Sequence, residues 1–502
     1  MRKGFLHIVE IVIVSLVAFF LFFQFFSIPT QQMDWESVRL WTQANDILFT
    51  LDKKGINWFN STEVQRSLMN LTTANTLYSL KLRNVIVPRI EVGCICNDTE
   101  TATMSSILQP FVINGQRVDF SINQIDPGFI SFPHNNDVVI AFDYNMTNNY
   151  TQIYQYLGAG KGLVEIRNLD ASEIDLVQQD FFGLKWNSAL SLSASQEEFG
   201  SKQSSSPYYS IYNIFHSIPL AYDDFSNGDN RWNKVTGTGG WSVNSQNYVG
   251  MNTTGDGNES VTIYSQLIDG PYSLSGLFMT EGGLQHNVTF IMYNVTASSV
   301  RINLDVDADR VSVSEGSQSR GMKSYTINNG TWYKVDIVTY NQSIKVYLNG
   351  ILVLASQTLS SIPPSSQIGL DVEYGQARFD NIRVTFARPH NFTGLIANEK
   401  IEPVSDSRSS VLIQKDVMRS ACIANKYAGV QGRTAWLAPS GSLSTEVKTM
   451  LKALVVWAAS EEYDVVKSSI MNVPVKTAYY KTYDQDMFQP VEIVMTMGYI
   501  YK

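Results

Sequence analysis

Positive charge is scarce in this chain. Only 17% of its 502 residues are charged, with 37 Lys or Arg against 46 Asp or Glu, and no Lys/Arg-rich block occurs. Phosphate neutralisation needs a basic face, so nucleic acid is excluded as a partner. Histidine is also rare. The five (7, 134, 216, 286 and 390) are scattered and supply no ligand pair at helical spacing. Cysteine occurs only at 94, 96 and 422. Residues two apart on a strand pair poorly, so the expected bridge joins Cys422 to Cys94 or Cys96, with a Cys-x-Cys metal site as the alternative. What is abundant is apolar, at 44%. That share supplies ordinary cores and excludes wholesale disorder. The remaining polarity comes from Asn, Ser, Thr, Gln and Tyr. The length suits about three domains.

The N-terminus carries one long hydrophobic run. From Ile11 to Ile28 no residue is charged. As a helix it covers about 27 Å, close to a hydrocarbon core. Arg2 and Lys3 precede it and no basic residue directly follows, which orients the N-terminus inward. The segment is longer than a secretory apolar region and lacks a small-x-small cleavage site. The expectation is a single-pass cell-membrane protein with its N-terminus cytoplasmic and its bulk extracellular, held by residues 5–28. Asn-x-Ser/Thr acceptors agree with an exterior location. They fall at Asn60, Asn70, Asn97, Asn145, Asn149, Asn252, Asn258, Asn287, Asn294, Asn329, Asn341 and Asn391.

Lys3-Gly4-Phe5 with Glu10 resembles an archaeal type IV pilin-like signal, cut after the glycine with the apolar helix retained. In that family the glutamate stands at the fifth mature position, whereas Glu10 would be the sixth. The resemblance implies a pilin-like segment over 1–29 and an archaeal source.

The exterior part changes pattern along its length. Residues 30–130 open with apolar residues at helical spacing (Trp35, Val38, Trp41, Ala44, Ile47, Leu48, Leu51), then read as strands near 80–96 and 117–122. This is a small α+β region, with 471–502 as a segment that returns to complete it. At Asp137–Phe142 a continuous apolar run marks a strand buried on both faces. A helix with Ile153 and Leu157 inward follows, then a strand at 162–166, which makes a βαβ unit. After a polar linker this pattern stops and returns near 395, with strands at 411–413, 421–424 and 433–438 and a last helix capped by Ser444. The inferred body is one discontinuous α/β domain, 131–215 with 390–470. Val138-Val-Ile, Tyr154-x-x-Leu157-x-x-Gly160-Lys-Gly-Leu-Val-Glu-Ile166, Phe182-Gly-Leu-x-Trp186 and Leu451-Lys-Ala-Leu-Val-Val-Trp457 resemble the class I glutamine amidotransferase-like, flavodoxin-like fold. The resemblance implies fold alone, because the Gly-flanked cysteine nucleophile of catalytic members is absent and Cys422 lies inside an apolar strand. Carboxyl ends of such strands select Asp143, Tyr144, Arg167 and Asn168 as ligand-facing residues, or as ordinary loop polarity.

The insertion, 222–388, alternates apolar and polar residues as an all-β domain. Asn349-Gly350 between two such runs marks a hairpin. Asp223-Asp-Phe225, Gly240-Trp-x-Val243, Trp332-Tyr-x-Val335 and Phe379-Asp-Asn-Ile-Arg-Val384 resemble concanavalin A-like, laminin G-type jelly rolls. That resemblance implies a domain that binds glycan or protein, and a structural calcium at Asp224 and Asp380, whose alternative for Asp380-Asn381 is a turn cap. Sugar-stacking aromatics would be Trp232, Trp241, Tyr248, Trp332 and Tyr374, with core packing as the alternative. Glycan-cleaving members need Glu-x-Asp-x-x-Glu on one strand. Here Asp305-Val-Asp307-Ala-Asp309 has no Glu, and as a strand it would set three carboxylates on one face. The reading is therefore a multidomain protein: a transmembrane helix, a small α+β region and an α/β domain interrupted by a concanavalin A-like sandwich. Its expected role is non-catalytic binding of glycan or a surface protein. The alternatives are a pilin-like filament subunit and an exported glycan-acting hydrolase.

Overall fold

The computed structural model describes residues 35–499, apart from single residues and loops of which 127–134, 170–175, 187–199, 202–210, 253–259, 282–286, 388–394, 396–400, 404–408, 427–431, 467–474 and 481–491 are the longest. The expected membrane segment and pilin-like signal lie outside the described residues. Among those described, no helix is long and apolar enough to cross a membrane.

Two compact units divide the chain. In the smaller, the helix Trp35–Lys53 buries Leu40, Ala44, Ile47, Leu48 and Leu51. Val38 and Trp41, expected on the inner stripe, are 41% and 52% exposed instead. The helix Ser61–Leu71 follows, capped by Asn60, whose side chain accepts from the Glu63 amide. A four-stranded sheet completes the unit. Within it, Thr76–Val85 pairs antiparallel with Glu492–Tyr499, so the terminal segment does return to an early strand.

The larger unit holds a nine-stranded mixed sheet. Five neighbours run parallel in the order 116–124, 89–95, 138–142, 162–166 and 433–437. The strands Val138–Phe142, Gly162–Ile166 and Arg433–Leu437 are buried along almost their whole length, mostly with apolar residues, and Glu165, Arg433 and Thr434 are the polar ones. The strands at 89–95 and 116–124, read from the sequence as part of the α+β region, belong to this same sheet. The helix Thr445–Ala459 packs on it, and Gly162 has no room for a side chain there. A Cβ would meet the Ala458 carbonyl at 2.6 Å.

Between 166 and 433 the chain builds a sandwich of two eight-stranded antiparallel sheets. The front sheet runs 232–236, 260–264, 365–373, 287–295, 298–305, 310–315 and 318–324, with 268–269 on 365–373. The back sheet runs 240–244, 247–252, 375–386, 272–281, 333–340, 343–348 and 351–355, with 221–223 on 375–386. Strict alternation (Tyr272, Leu274, Phe278; Val288, Phe290, Met292; Val335, Ile337) sends every second side chain into one core. Tyr272 and Tyr293 lock the sheets together. The Tyr293 amide donates to the Tyr272 hydroxyl at 2.8 Å, and the Tyr293 hydroxyl donates to the Tyr272 carbonyl at 2.7 Å. Burial pushes the Tyr272 phenol up to about 12 and raises Tyr293 as well. The sandwich is tied to the parallel sheet's helical layer at one end. Phe215 stacks on Phe386 at 5.2 Å, and the Leu220 amide donates to Val384.

Candidate functional site

The outward face of the front sheet combines three rows of side chains. Cross-strand register aligns Asp371, Thr289, Asn303 and Ser312 in one row. A second row carries Ile263, Gly369, Ile291 and Arg301. A third carries Glu373, Asn287, Asp305 and Arg310. Strand alternation puts these polar residues outward, because their neighbours Val288, Phe290, Ile302, Leu304 and Leu370 fill the core. The face is nevertheless recessed. Asp371 and Thr289 are buried, and Val261, Ile263 and Ile291 form a small apolar cluster of their own. Gly369 makes that cluster possible, since a Cβ there would lie 2.5 Å from Ile263 Cδ1 and 3.3 Å from Ile291 Cδ1.

The charged groups of the face are paired. Arg301 Nη2 bridges to Asp371 Oδ2. Arg310 Nη2 donates to Asp305 Oδ2 at 2.8 Å, and Asn287 Nδ2 donates to Glu373 Oε2 at 3.0 Å. Among the buried atoms here that make no hydrogen bond within the described residues are the acceptor Asn303 Oδ1 and the donor Arg310 Nε. Asn303 and Arg310 sit on adjacent strands, one register step apart on the diagonal. Both residues are half-buried on this face, so the accessible parts of their polar side chains suit a hydroxyl group, which donates and accepts at once. The apolar cluster one row away suits the C–H face of a ring. The carboxylates of the face are thus each held by a guanidinium or an amide group.

The residues singled out from the sequence fall elsewhere. Trp232, Trp241 and Tyr248 are buried, stacked with Phe225 and Phe379. They are core aromatics and offer no ring face to a sugar, because two sheets closing on each other bury whichever residues alternate inward. Tyr374 is half-buried in the turn between the strands 365–373 and 375–386, at φ 50°. Trp332 is 39% exposed. The expected carboxylate ladder at 305–309 does not form. Asp305 ends a strand, 306–309 turn with Asp309 at φ 47°, and Arg310 begins the next strand. Asp305 caps that turn by accepting from the Ala308 amide.

Asp224 and Asp380 do come close. Desolvation raises Asp380, and the charge of Asp224 adds to the rise. Asp224 is lowered by hydrogen bonds from the Ser226 hydroxyl and amide, against the opposing effect of its own burial. Asp380 accepts from both the Asn381 amide and its side chain, and Tyr222 donates to Asn381 Oδ1 at 2.7 Å. Calcium takes six to eight oxygens. Asp224 and Asp380 alone do not make up that number, and no cluster of three or more His, Cys, Asp or Glu converges among the described residues. The pair reads as a turn cap with a like-charge neighbour.

The expected disulfide is corrected too. Cys94 is bridged to Cys96, and Cys422 is a buried free thiol. Cys422 lies on 419–426, four strand spacings from 89–95 across the sheet, or roughly 19 Å. A bridge tolerates no more than about 7 Å between Cα atoms. At the carboxyl ends of the parallel strands, Arg167 reaches Asp143 at 3.8 Å, and Asp143 is at φ 47°. Tyr144 packs against the neighbouring core, and Asn168 lies outside the described residues. Of the glycosylation acceptors, Asn60, Asn70, Asn97, Asn145 and Asn329 are exposed and Asn287 and Asn294 half-buried. Asn149 and Asn252 are buried, which closes them to a glycan in the folded protein. Asn258, Asn341 and Asn391 lie outside the described residues.

Residues 224–385 match the family model of the 3-keto-alpha-glucoside-1,2-lyase-like domain. The match takes in nearly the whole sandwich and less than half of the chain. No curated protein matches the sequence. Among solved structures, the sandwich is similar to the carbohydrate-binding module CBM66 from Bacillus subtilis, at 17% identity over 31% of this chain and 95% of that one, with a TM-score of 0.27. It is also similar to a β-glucanase from Bacillus licheniformis, at 14% identity over 33% of this chain and 97% of that one, with a TM-score of 0.27.

Proposed function

We propose that this protein binds glycan through the front sheet of its sandwich, with a glucoside-type sugar as the ligand class. The observation that carries the reading is the pair of half-buried polar residues Asn303 and Arg310, diagonal neighbours on a recessed face with an apolar cluster alongside. The sequence match of the same domain to a glucoside-acting family supports the ligand class. The domain layout proposed with it is a split α/β body, 131–215 with 390–470, that carries the sandwich, and a membrane anchor at 5–28 that presents both outside the cell. The anchor rests on the uncharged run Ile11–Ile28, and the exposed acceptors at Asn60, Asn97 and Asn329 agree with it.

The role proposed is binding without turnover, because each carboxylate of the face is tied to a cation or an amide. The test is a glycan array probed with the detergent-solubilised full chain, with mass analysis of each bound sugar after overnight incubation. Retention of intact glucosides supports binding. Cleaved or dehydrated sugar would make the protein an enzyme, and a blank array would remove the glycan reading.

A further inference from the structure

The bridge between Cys94 and Cys96 does little for stability. It closes a loop of three residues, the case in which cross-linking restrains the unfolded chain least. Its strand is already fixed by parallel pairing on both sides, to 116–124 and to 138–142. The Ile125 amide donates to the Cys94 carbonyl, and Gln124 Nε2 donates to the Cys96 carbonyl at 2.6 Å. A staple here is redundant.

Its position points to chemistry. The strand 89–95 is the place where the chain changes direction across the sheet. The next parallel strand, 116–124, lies on one side of it, and the following one, 138–142, lies on the other. In parallel α/β sheets the crevice opens at the carboxyl ends of such a pair of diverging connections. Cys94 and Cys96 occupy that end. The two sulfurs differ in access, since Cys94 is fully buried and Cys96 is half-buried. Thr101 Oγ1 lies 3.1 Å from Cys96 Sγ and 2.8 Å from the Asn97 carbonyl, so its single proton can be turned to the sulfur. Cys96 also directly precedes Asn97, the N-cap of the helix Asp98–Ile107. Asp98 and Glu100 in the first turn offset that helix's positive end, which leaves the Thr101 hydroxyl as the specific support for a thiolate.

We propose that Cys94 and Cys96 form a redox-active pair that exchanges with low-molecular-weight thiols and their disulfides at the carboxyl end of the parallel sheet. An external thiolate attacks Cys96 Sγ. The Cys94–Cys96 bond breaks, a mixed disulfide forms at Cys96, and Cys94 leaves as a thiolate that takes up a proton. A second external thiol attacks the mixed disulfide, releases Cys96 as a thiol and departs as the external disulfide. Two electrons pass to the protein in this direction, and the reverse sequence oxidises the pair. Thr101 is a positioning residue that steadies the Cys96 thiolate.

The test uses the folded full chain in reduced and oxidised glutathione mixtures, trapped with a maleimide and read by intact mass and peptide mapping. The expected result is maleimide labelling of Cys96 within minutes in the reducing mixtures and none in the oxidising ones, the switch being reversible, with Cys422, as buried as Cys94, unlabelled throughout. Thr101→Val is expected to slow exchange at least 3-fold without changing thermal stability, and Thr101→Ser to restore the rate. Air-oxidised protein without the bridge, a bridge that opens only when Cys422 also labels, or equal rates in wild type and Thr101→Val would each overturn the proposal.

Discussion

At the residue scale, the unpaired groups of the front face separate function from stability. Burying Asn303 Oδ1 without a donor costs the folded state and gains nothing from packing. Asn303→Ala is therefore expected to leave the urea midpoint unchanged or raise it slightly. Tyr293→Phe is the opposite case. It strips the buried Tyr272 carbonyl and Thr339 hydroxyl of their shared partner, and should cost about 2 kcal/mol or more in urea unfolding. Gly369→Ala should cost about 1–3 kcal/mol through overpacking against Ile263. Asp380 adds a pH signature. Its folded carboxyl is raised, so its contribution to stability is fully present below the ordinary carboxylate range and is lost as pH rises through the folded value. Asp380→Asn should raise the thermal midpoint at pH 7, and that gain should vanish by about pH 3. A midpoint that does not move at pH 7 would contradict the raised carboxyl. None of these roles was legible residue by residue. Asn303 and Arg310 stand in an ordinary alternating stretch, and only the register of two adjacent strands makes them diagonal neighbours.

At the scale of elements, the sandwich was the most legible part, because alternation with period two is imposed directly by a half-buried sheet. The hairpin at Asn349-Gly350 forms as its residues demand, with φ of 48° and 76°. Asn349 Oδ1 also accepts from the Lys334 amide at 2.9 Å. Asn349→Ala should therefore cost about 1 kcal/mol, measured by urea unfolding, through loss of both the left-handed preference and that bond. The carboxylate run at 305–309 was misread for an instructive reason. Alternating acidic residues satisfy a strand pattern, yet Asp305 gains more by capping a turn with its carboxylate against the Ala308 amide. The aromatics of the sandwich carry the same kind of ambiguity. Trp232, Trp241 and Tyr248 look the same in sequence whether a sheet face is covered or open. The cysteine pairing depended on sheet order, which places Cys422 across the sheet from the other two and which no local pattern encodes.

At the scale of the whole molecule, acceptor asparagines link fold to location. If the chain is exported and glycosylated after folding, Asn60, Asn97 and Asn329 should carry glycan, while buried Asn149 and Asn252 should not. Peptide mapping after enzymatic deglycosylation in heavy water reads each site separately. Modification at Asn252 would contradict the packing of its strand, and a wholly unmodified chain would count against an exterior location. The claim that matters most is that sugar hydroxyls meet the front face. It is tested by calorimetric titration of the strongest array glycan into wild-type and Asn303→Ala full chains of equal stability. Loss of one neutral hydrogen bond predicts binding about 3- to 10-fold weaker in the variant. Equal affinity in the two proteins would place the sugar elsewhere and contradict the account.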